Sequence, residues 1–133
     1  EEPITVFNYG EHRRDFTYID DIVEGIVRVL DRPASATKRW DNKDPDPAYS
    51  SAPYRVYNIG NNKPEELLVY IKELELSLGK TAKKILLPIQ PGDVKDTYAD
   101  VDDLVEQFGY QPNVGIKEGI ANFTAWFKKY NNV

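Results

Sequence analysis

The chain of 133 residues has no cysteine, no methionine and a single histidine, His12. Without cysteine there is neither a disulfide framework nor a thiolate ligand, and one histidine makes no zinc site of the Cys/His kind. The missing thiols fit a reducing cytoplasm. No apolar run approaches the roughly 20 residues of a membrane span, and the opening Glu1-Glu2-Pro3 is not a signal peptide. Lys and Arg number 17 against 22 Asp and Glu, and the net charge of -5 excludes a nucleic-acid binder that relies on a general basic field. An anionic ligand would need a local basic patch. Also absent are a Gly-x-x-Gly-x-x-Gly or Gly-x-Gly-x-x-Gly phosphate loop, a Tyr-x-x-x-Lys pair and a Ser-centred elbow, so the chain carries no self-contained dinucleotide or nucleophilic site. Lacking Met even at its start, it is expected to be a piece of a longer protein whose natural N-terminus lies elsewhere.

What is present is the composition of a globular domain, 41% hydrophobic, 12% aromatic and 29% charged. A chain of this length is one domain or part of one, and buries roughly two-thirds of its unfolded surface. The stretch from Gly10 to Ile26 organises the rest. It joins a loop bearing Arg13 and Arg14 to a helix that begins at Thr17 to Asp21. Ile19, Ile22, Val23, Ile26, Val27 and Leu30 recur at spacings of three and four, which predicts that this face turns towards the core.

Ile4-Thr-Val-Phe-Asn-Tyr9 alternates and reads as a strand ended by Gly10. After the first helix, a polar, Pro-rich stretch over residues 34–53 predicts a long loop, either a surface excursion or a functional segment. Tyr54-Arg-Val-Tyr-Asn-Ile59 predicts a second strand, and Pro64 the start of a second helix with Leu67, Leu68, Ile71, Leu74 and Leu78 as its stripe and Gly79 as its cap. Lys84-Ile-Leu-Leu-Pro-Ile89 predicts a third strand and Gln90-Pro-Gly-Asp93 a turn. A short helix capped by Asp100 and ended by Gly109, and a last helix from about Ile116 to Tyr130, close the chain. This alternation predicts an α/β architecture with parallel strands. Three short strands are few for so many apolar helix faces, as in a piece that packs on a missing partner.

Among the polar residues, Arg13 and Arg14 offer guanidinium forks that match phosphate oxygens, or else form a solvated surface pair. Asp15 either pairs with an arginine or caps a turn. Asp93 can accept two ribose hydroxyls, or serve the turn as Asp after Gly often does. Gln90 shares that turn at the end of a strand, where α/β sheets bind ligands. Phe7 is core, or lies against a base; His12 is expected to be an exposed loop residue. Asp100, Asp102 and Asp103 resemble a metal cluster, but the helix dipole already accounts for acids at a helix start, so no metal is assigned.

Arg14-Asp-Phe-Thr-Tyr-Ile-Asp-Asp-Ile-Val-Glu-Gly-Ile, Tyr57-Asn-Ile-Gly-Asn61 and Leu87-Pro-Ile-Gln-Pro-Gly-Asp-Val resemble, in this order, the C-terminal part of the nucleotide-sugar epimerases of the extended short-chain dehydrogenase/reductase family. Thr97-Tyr-Ala-Asp-Val101, Phe108-Gly-Tyr-Gln-Pro112, Glu118-Gly-Ile and Trp126-Phe127 extend the likeness over nearly the whole chain, and UDP-glucuronate 4-epimerases are its nearest branch. The resemblance implies a fold of few short strands with four helices, the Rossmann half missing, and a UDP-sugar-binding C-terminal domain over residues 1–133. It implies that Arg14 contacts the UDP diphosphate, that Asp93 is the acid near the uridine ribose, and that Phe7 sits on the strand lining the uracil pocket. Gln90 departs from the arginine many relatives carry there, leaving it a weaker polar contact or leaving the diphosphate to Arg14. NAD, the tyrosine base and its lysine would belong to the missing N-terminal half, which is also where such enzymes commonly form homodimers. A UDP-glucuronate decarboxylase or a sugar dehydratase, and a non-catalytic nucleotide-binding or protein-interaction module, stand as alternatives. Neither nucleic acid nor membrane is an expected partner.

Overall fold

The structure is a computed structural model that describes residues 2–133. Strand β1, Ile4–Val6, pairs in parallel with β4, Lys84–Leu86, in the register Ile4 with Lys84 and Val6 with Leu86. The alternation that marks the first strand holds for only three residues. Asn8, Tyr9 and Gly10 take φ of 49°, 51° and 86°, a left-handed turn that ends the ladder and reverses the chain. Gly10 is required there, since a β-carbon would lie 2.6 Å from Leu68 Cδ2. The chain then enters β2, Arg13–Arg14, antiparallel to β3, Glu65–Glu66, which sets two arginines opposite two glutamates.

Helix α1 spans Ile19–Leu30, α2 Leu67–Leu78, α3 Asp102–Phe108 and α4 Ile116–Asn131. Gly79 and Gly109 close α2 and α3 in left-handed conformations at φ 67° and 64°. The second helix begins at Leu67 rather than at Pro64, because residues 65–66 are drawn into the ladder with β2.

The core is built from Val101, Leu104, Phe108 and Tyr110, with Val29, Tyr57, Ile59 and Ala99 packed on it. Burying a side chain such as Leu104 contributes about 2–3 kcal/mol. A second contact joins α2 to α4, where Ile71 and Ile120 are buried and the Ser77 and Thr124 hydroxyls bond each other. Glu75 ties α2 to β4 through Lys84 Nζ and the Ala82 N–H, which together hold its carboxyl below the usual range.

Two expectations are corrected here. The apolar stripe of α1 faces out of the described chain, with Ile26 51% and Leu30 76% exposed. The residues α1 buries are Asp21, whose carboxylate accepts the Asn113 and Val114 N–H groups at 3.1 and 3.0 Å, and Gly25, against Tyr110. Residues 54–59 also form no strand. Tyr57 and Ile59 point at the core and Val56 and Asn58 away, as alternation requires, but the one bridge on offer joins Arg55 to Tyr49. Phe123, Phe127 and Tyr130 of α4 are likewise exposed.

Residues 34–53 contain neither helix nor strand. The segment is pinned at one place: the Arg55 guanidinium carbon lies 3.4 Å from the centroid of the Tyr49 ring and 5.0 Å from that of Tyr57, and Arg55 pairs with Asp103.

Candidate functional site

Both strands of the parallel pair run out at the same edge. Past β1 the chain continues into Phe7 and the left-handed turn; past β4 it continues through Leu87 into the turn at residues 90–93. The two are stitched by Leu87 N to Val6 O and Tyr9 N to Leu87 O, each 2.9 Å. The Asp93 N–H closes its turn on Gln90 O at 3.1 Å. Beyond it, Arg13 N donates to Lys95 O at 2.9 Å and Thr97 N to Arg13 O at 3.2 Å, so residues 95–97 lie along β2. Residues 80 positions apart thereby share one corner, at the carboxyl ends of parallel strands where α/β folds take ligands.

Side chains alternate along β2. Arg13 turns one way, to the Pro64 carbonyl at 3.1 Å. Arg14 turns the other, and both of its terminal amino groups are engaged: Nη1 with Arg13 O and Lys95 O at 2.9 and 2.8 Å, Nη2 with Val94 O at 2.8 Å and Asp93 Oδ1 at 3.3 Å. Three carbonyls fix the plane of the guanidinium. The carboxylate of Asp93 is its longest and most displaceable contact, so an arriving oxyanion would reach Arg14 at Nε or by exchange with Asp93. The two side chains keep 26% and 31% of their surface accessible, open enough for a ligand and too open for their pairing to add much stability.

Of the site residues expected from sequence, the structure brings Arg14 and Asp93 into contact and sets Gln90 at the other end of the same turn, with its side chain exposed. Phe7 follows β1 directly and is half-buried. Asp15 caps: its carboxylate accepts the N–H groups of Asn61, Asn62, Lys63 and Ala99 at 3.0 to 3.2 Å. Asp100 takes the Asp102 N–H at 3.1 Å, and Asp103 pairs with Arg55. Among the described residues, no group of three or more His, Cys, Asp and Glu is placed to hold a metal ion, and no helix is long and apolar enough to cross a membrane.

His12 is the residue that sequence reading misplaced. It is buried at 4% exposure, with Nε2 3.1 Å from Asp93 Oδ2. The signal lay in the alternation: His12 and Arg14 are two apart, share one side of β2, and both reach Asp93, while Arg13 between them does not.

The arrangement is one for binding. It offers a fixed cation, an adjacent carboxylate with free lone pairs and a strand-end aromatic. A corner of this kind lies on the side of the sheet where α/β proteins take their ligands. The profile of the NAD dependent epimerase/dehydratase family matches residues 1–60. Protein CapI of Staphylococcus aureus is 48% identical over 130 residues, 98% of this chain and 39% of that protein. A probable UDP-glucuronate 4-epimerase of Rhizobium meliloti is 40% identical over 126 residues, 94% of this chain and 37% of that protein. Among solved structures, UDP-glucuronic acid 4-epimerase from Bacillus cereus in complex with UDP-glucuronic acid and NAD superposes with a TM-score of 0.72 at 31% identity, over 97% of this chain and 36% of that one. Over residues 1–60 the chain is thus similar to the NAD dependent epimerase/dehydratase family, and its fold is that of the C-terminal portion of the extended short-chain dehydrogenase/reductase epimerases. It spans less than two-fifths of the length of the curated relatives it matches, from 39% down to 26%.

Proposed function

We propose that this chain is the UDP-sugar-binding C-terminal domain of an NAD-dependent UDP-glucuronate 4-epimerase, residues 34–53 being a long loop within it. The observation that carries the reading is the Arg14 and Asp93 pair, gathered across 79 positions at the strand ends. In this reading Arg14 meets the diphosphate, Asp93 the ribose hydroxyls, Phe7 the uracil, and Gln90 makes a polar contact beside them. The chain holds no glycine-rich phosphate loop and no Tyr-x-x-x-Lys pair, so NAD does not fit here and is assigned to an N-terminal Rossmann half of the parent protein. Bound there, NAD would supply redox-neutral hydride chemistry at C4 of the sugar. This domain contributes by holding the UDP end fixed, which keeps C4 in reach of that chemistry.

The exposed stripe Ile19, Val23, Ile26, Val27 and Leu30 supports the same reading, since an apolar face of this extent suits a packed partner, and the Rossmann half is the partner assigned. A cytoplasmic, homodimeric parent completes the proposal, the dimer contact lying in the N-terminal half.

The test is an amide-shift NMR titration of the chain with UDP beside its Arg14→Ala variant, repeated on the parent protein. Shifts at Phe7, Arg14 and residues 90–93 that vanish in the variant support the wall. A parent protein whose spectrum ignores millimolar UDP ends the reading. Product analysis with UDP-glucuronate then fixes the reaction: a C4 epimer is expected, and release of CO2 would mark a decarboxylase instead.

A further inference from the structure

His12 takes no part in the assignment above, yet its geometry joins it to the same carboxylate. Asp93 Oδ1 is already held from the protein side, by the Val94 N–H at 2.9 Å and by Arg14 Nη2 at 3.3 Å. Oδ2 is faced by His12 Nε2 at 3.1 Å, too far off line to count as an aligned hydrogen bond. The imidazole is nineteen-twentieths buried and its Nε2 has no other partner. A buried ring nitrogen left unpaired is unfavourable by itself, so the close approach to Asp93 is the contact that makes sense of its burial. A carboxylate has about four acceptor positions. With two filled on Oδ1 and one on Oδ2 faced by the imidazole, one Oδ2 position is left for a ligand on a side chain that keeps 31% of its surface accessible.

We infer that His12 is a positioning residue: through Nε2 it orients the Asp93 carboxylate so that Oδ2 presents to the hydroxyls of a nucleotide ribose. This rests on the assignment of Asp93 to the ribose. Polar contacts at binding sites often stand loose without ligand and align when it arrives. The hydroxyl that fixes Oδ2 would draw the carboxylate into line with the imidazole, and each bond would strengthen the other.

The experiment is calorimetry on the full-length parent protein with two probes, UDP and 2′,3′-dideoxy-UDP, across His12→Leu, His12→Gln, His12→Asn and Asp93→Ala. Leu keeps the bulk of the ring without its nitrogens. Gln places an amide nitrogen near the reach of Nε2, and Asn places it too short. His12→Leu is expected to weaken UDP about tenfold, the size of one charge-assisted hydrogen bond, and to leave dideoxy-UDP unchanged. His12→Gln is expected to restore most of the loss and His12→Asn little of it. If UDP and dideoxy-UDP bind the unaltered protein alike, the ribose assignment of Asp93 falls, and this inference with it. If they differ, and Asp93→Ala abolishes the difference while His12→Leu does not change it, the role of His12 alone is overturned. Should His12→Leu fail to fold, the Gln and Asn variants decide: equal affinities in both would overturn the inference.

Discussion

Asp15 and Gly60 lie so close that a β-carbon on Gly60 would come within 2.7 Å of Asp15 Oδ2. The glycine lets the 61–63 backbone fold around the carboxylate, and the carboxylate collects four N–H groups from two separate segments. Gly60→Ala meets Ala99 Cβ at 2.5 Å as well, a contact with no flexible end to move. Overpacking of this kind is expected to cost about 1–3 kcal/mol in urea unfolding. Asp15→Ala, which removes the acceptor of four backbone N–H groups, two of them part-buried, is expected to cost at least about 1 kcal/mol. Equal stability of both variants and the unaltered chain would refute the role given to this pair.

Charging the outer stripe of α1 separates two contexts. In the chain alone, Ile26→Glu with Leu30→Glu removes exposed apolar surface and is expected to lower self-association in sedimentation velocity while leaving the circular dichroism unchanged. In the parent protein the same pair is expected to destabilise by at least about 1.5 kcal/mol per residue, the value of a buried aliphatic side chain. Unchanged thermal stability of the parent would show that nothing covers this face.

Tyr110 is fully buried and donates its hydroxyl to Gly60 O at 3.0 Å. Burial, and then the charges of Asp21, Glu24 and Asp15, push its hydroxyl up to about 12 from 10.0. The folded state therefore holds this proton more tightly than the unfolded one. Its contribution is complete below pH 10.0 and is lost as pH rises towards about 12. Urea unfolding at stepped pH, compared with Tyr110→Phe, is expected to show a difference that falls over that window by up to roughly 1.4 kcal/mol per pH unit and changes sign within it. Below the window the variant should be weaker by about 1 kcal/mol for the lost hydrogen bond. A pH-independent difference would contradict this account.

Arg55 holds the 34–53 excursion by stacking as well as by charge. Lysine keeps the charge without the planar group that lies between Tyr49 and Tyr57. Arg55→Lys is expected to raise amide exchange and proteolytic cleavage over residues 34–53 severalfold, with α2 and α4 unaffected. If exchange over the excursion does not change, the stack is not what restrains it.

How much of this could be read in advance depends on the range of the interaction concerned. Local rules placed the helices, because caps act within a turn: Gly79 and Gly109 end α2 and α3 where a left-handed residue was expected, and Asp100 takes the first N–H of α3. Residues 54–59 have the composition of a strand but form none, since a ladder needs a run of backbone partners and this segment has only the isolated bridge to Tyr49, with Val56 N donating to Ala48 O. The proximity of Asp93 to Arg14 had a trace in the order of motifs; that of His12 had only the period of two along β2.

The sequence by itself determined the class of fold, the C-terminal ends of α2 and α3, the likeness to the epimerases and the absence of cysteine chemistry and of a dinucleotide loop, all of which reside in residue identity and short spacing. The tertiary structure decided which side of α1 faces inward, that Asp15 gathers backbone rather than pairing with an arginine, and that His12 is buried against Asp93. Periodicity reports that a face is apolar, not what covers it, and a carboxylate's partners are set by which distant segments the fold brings within about 3 Å.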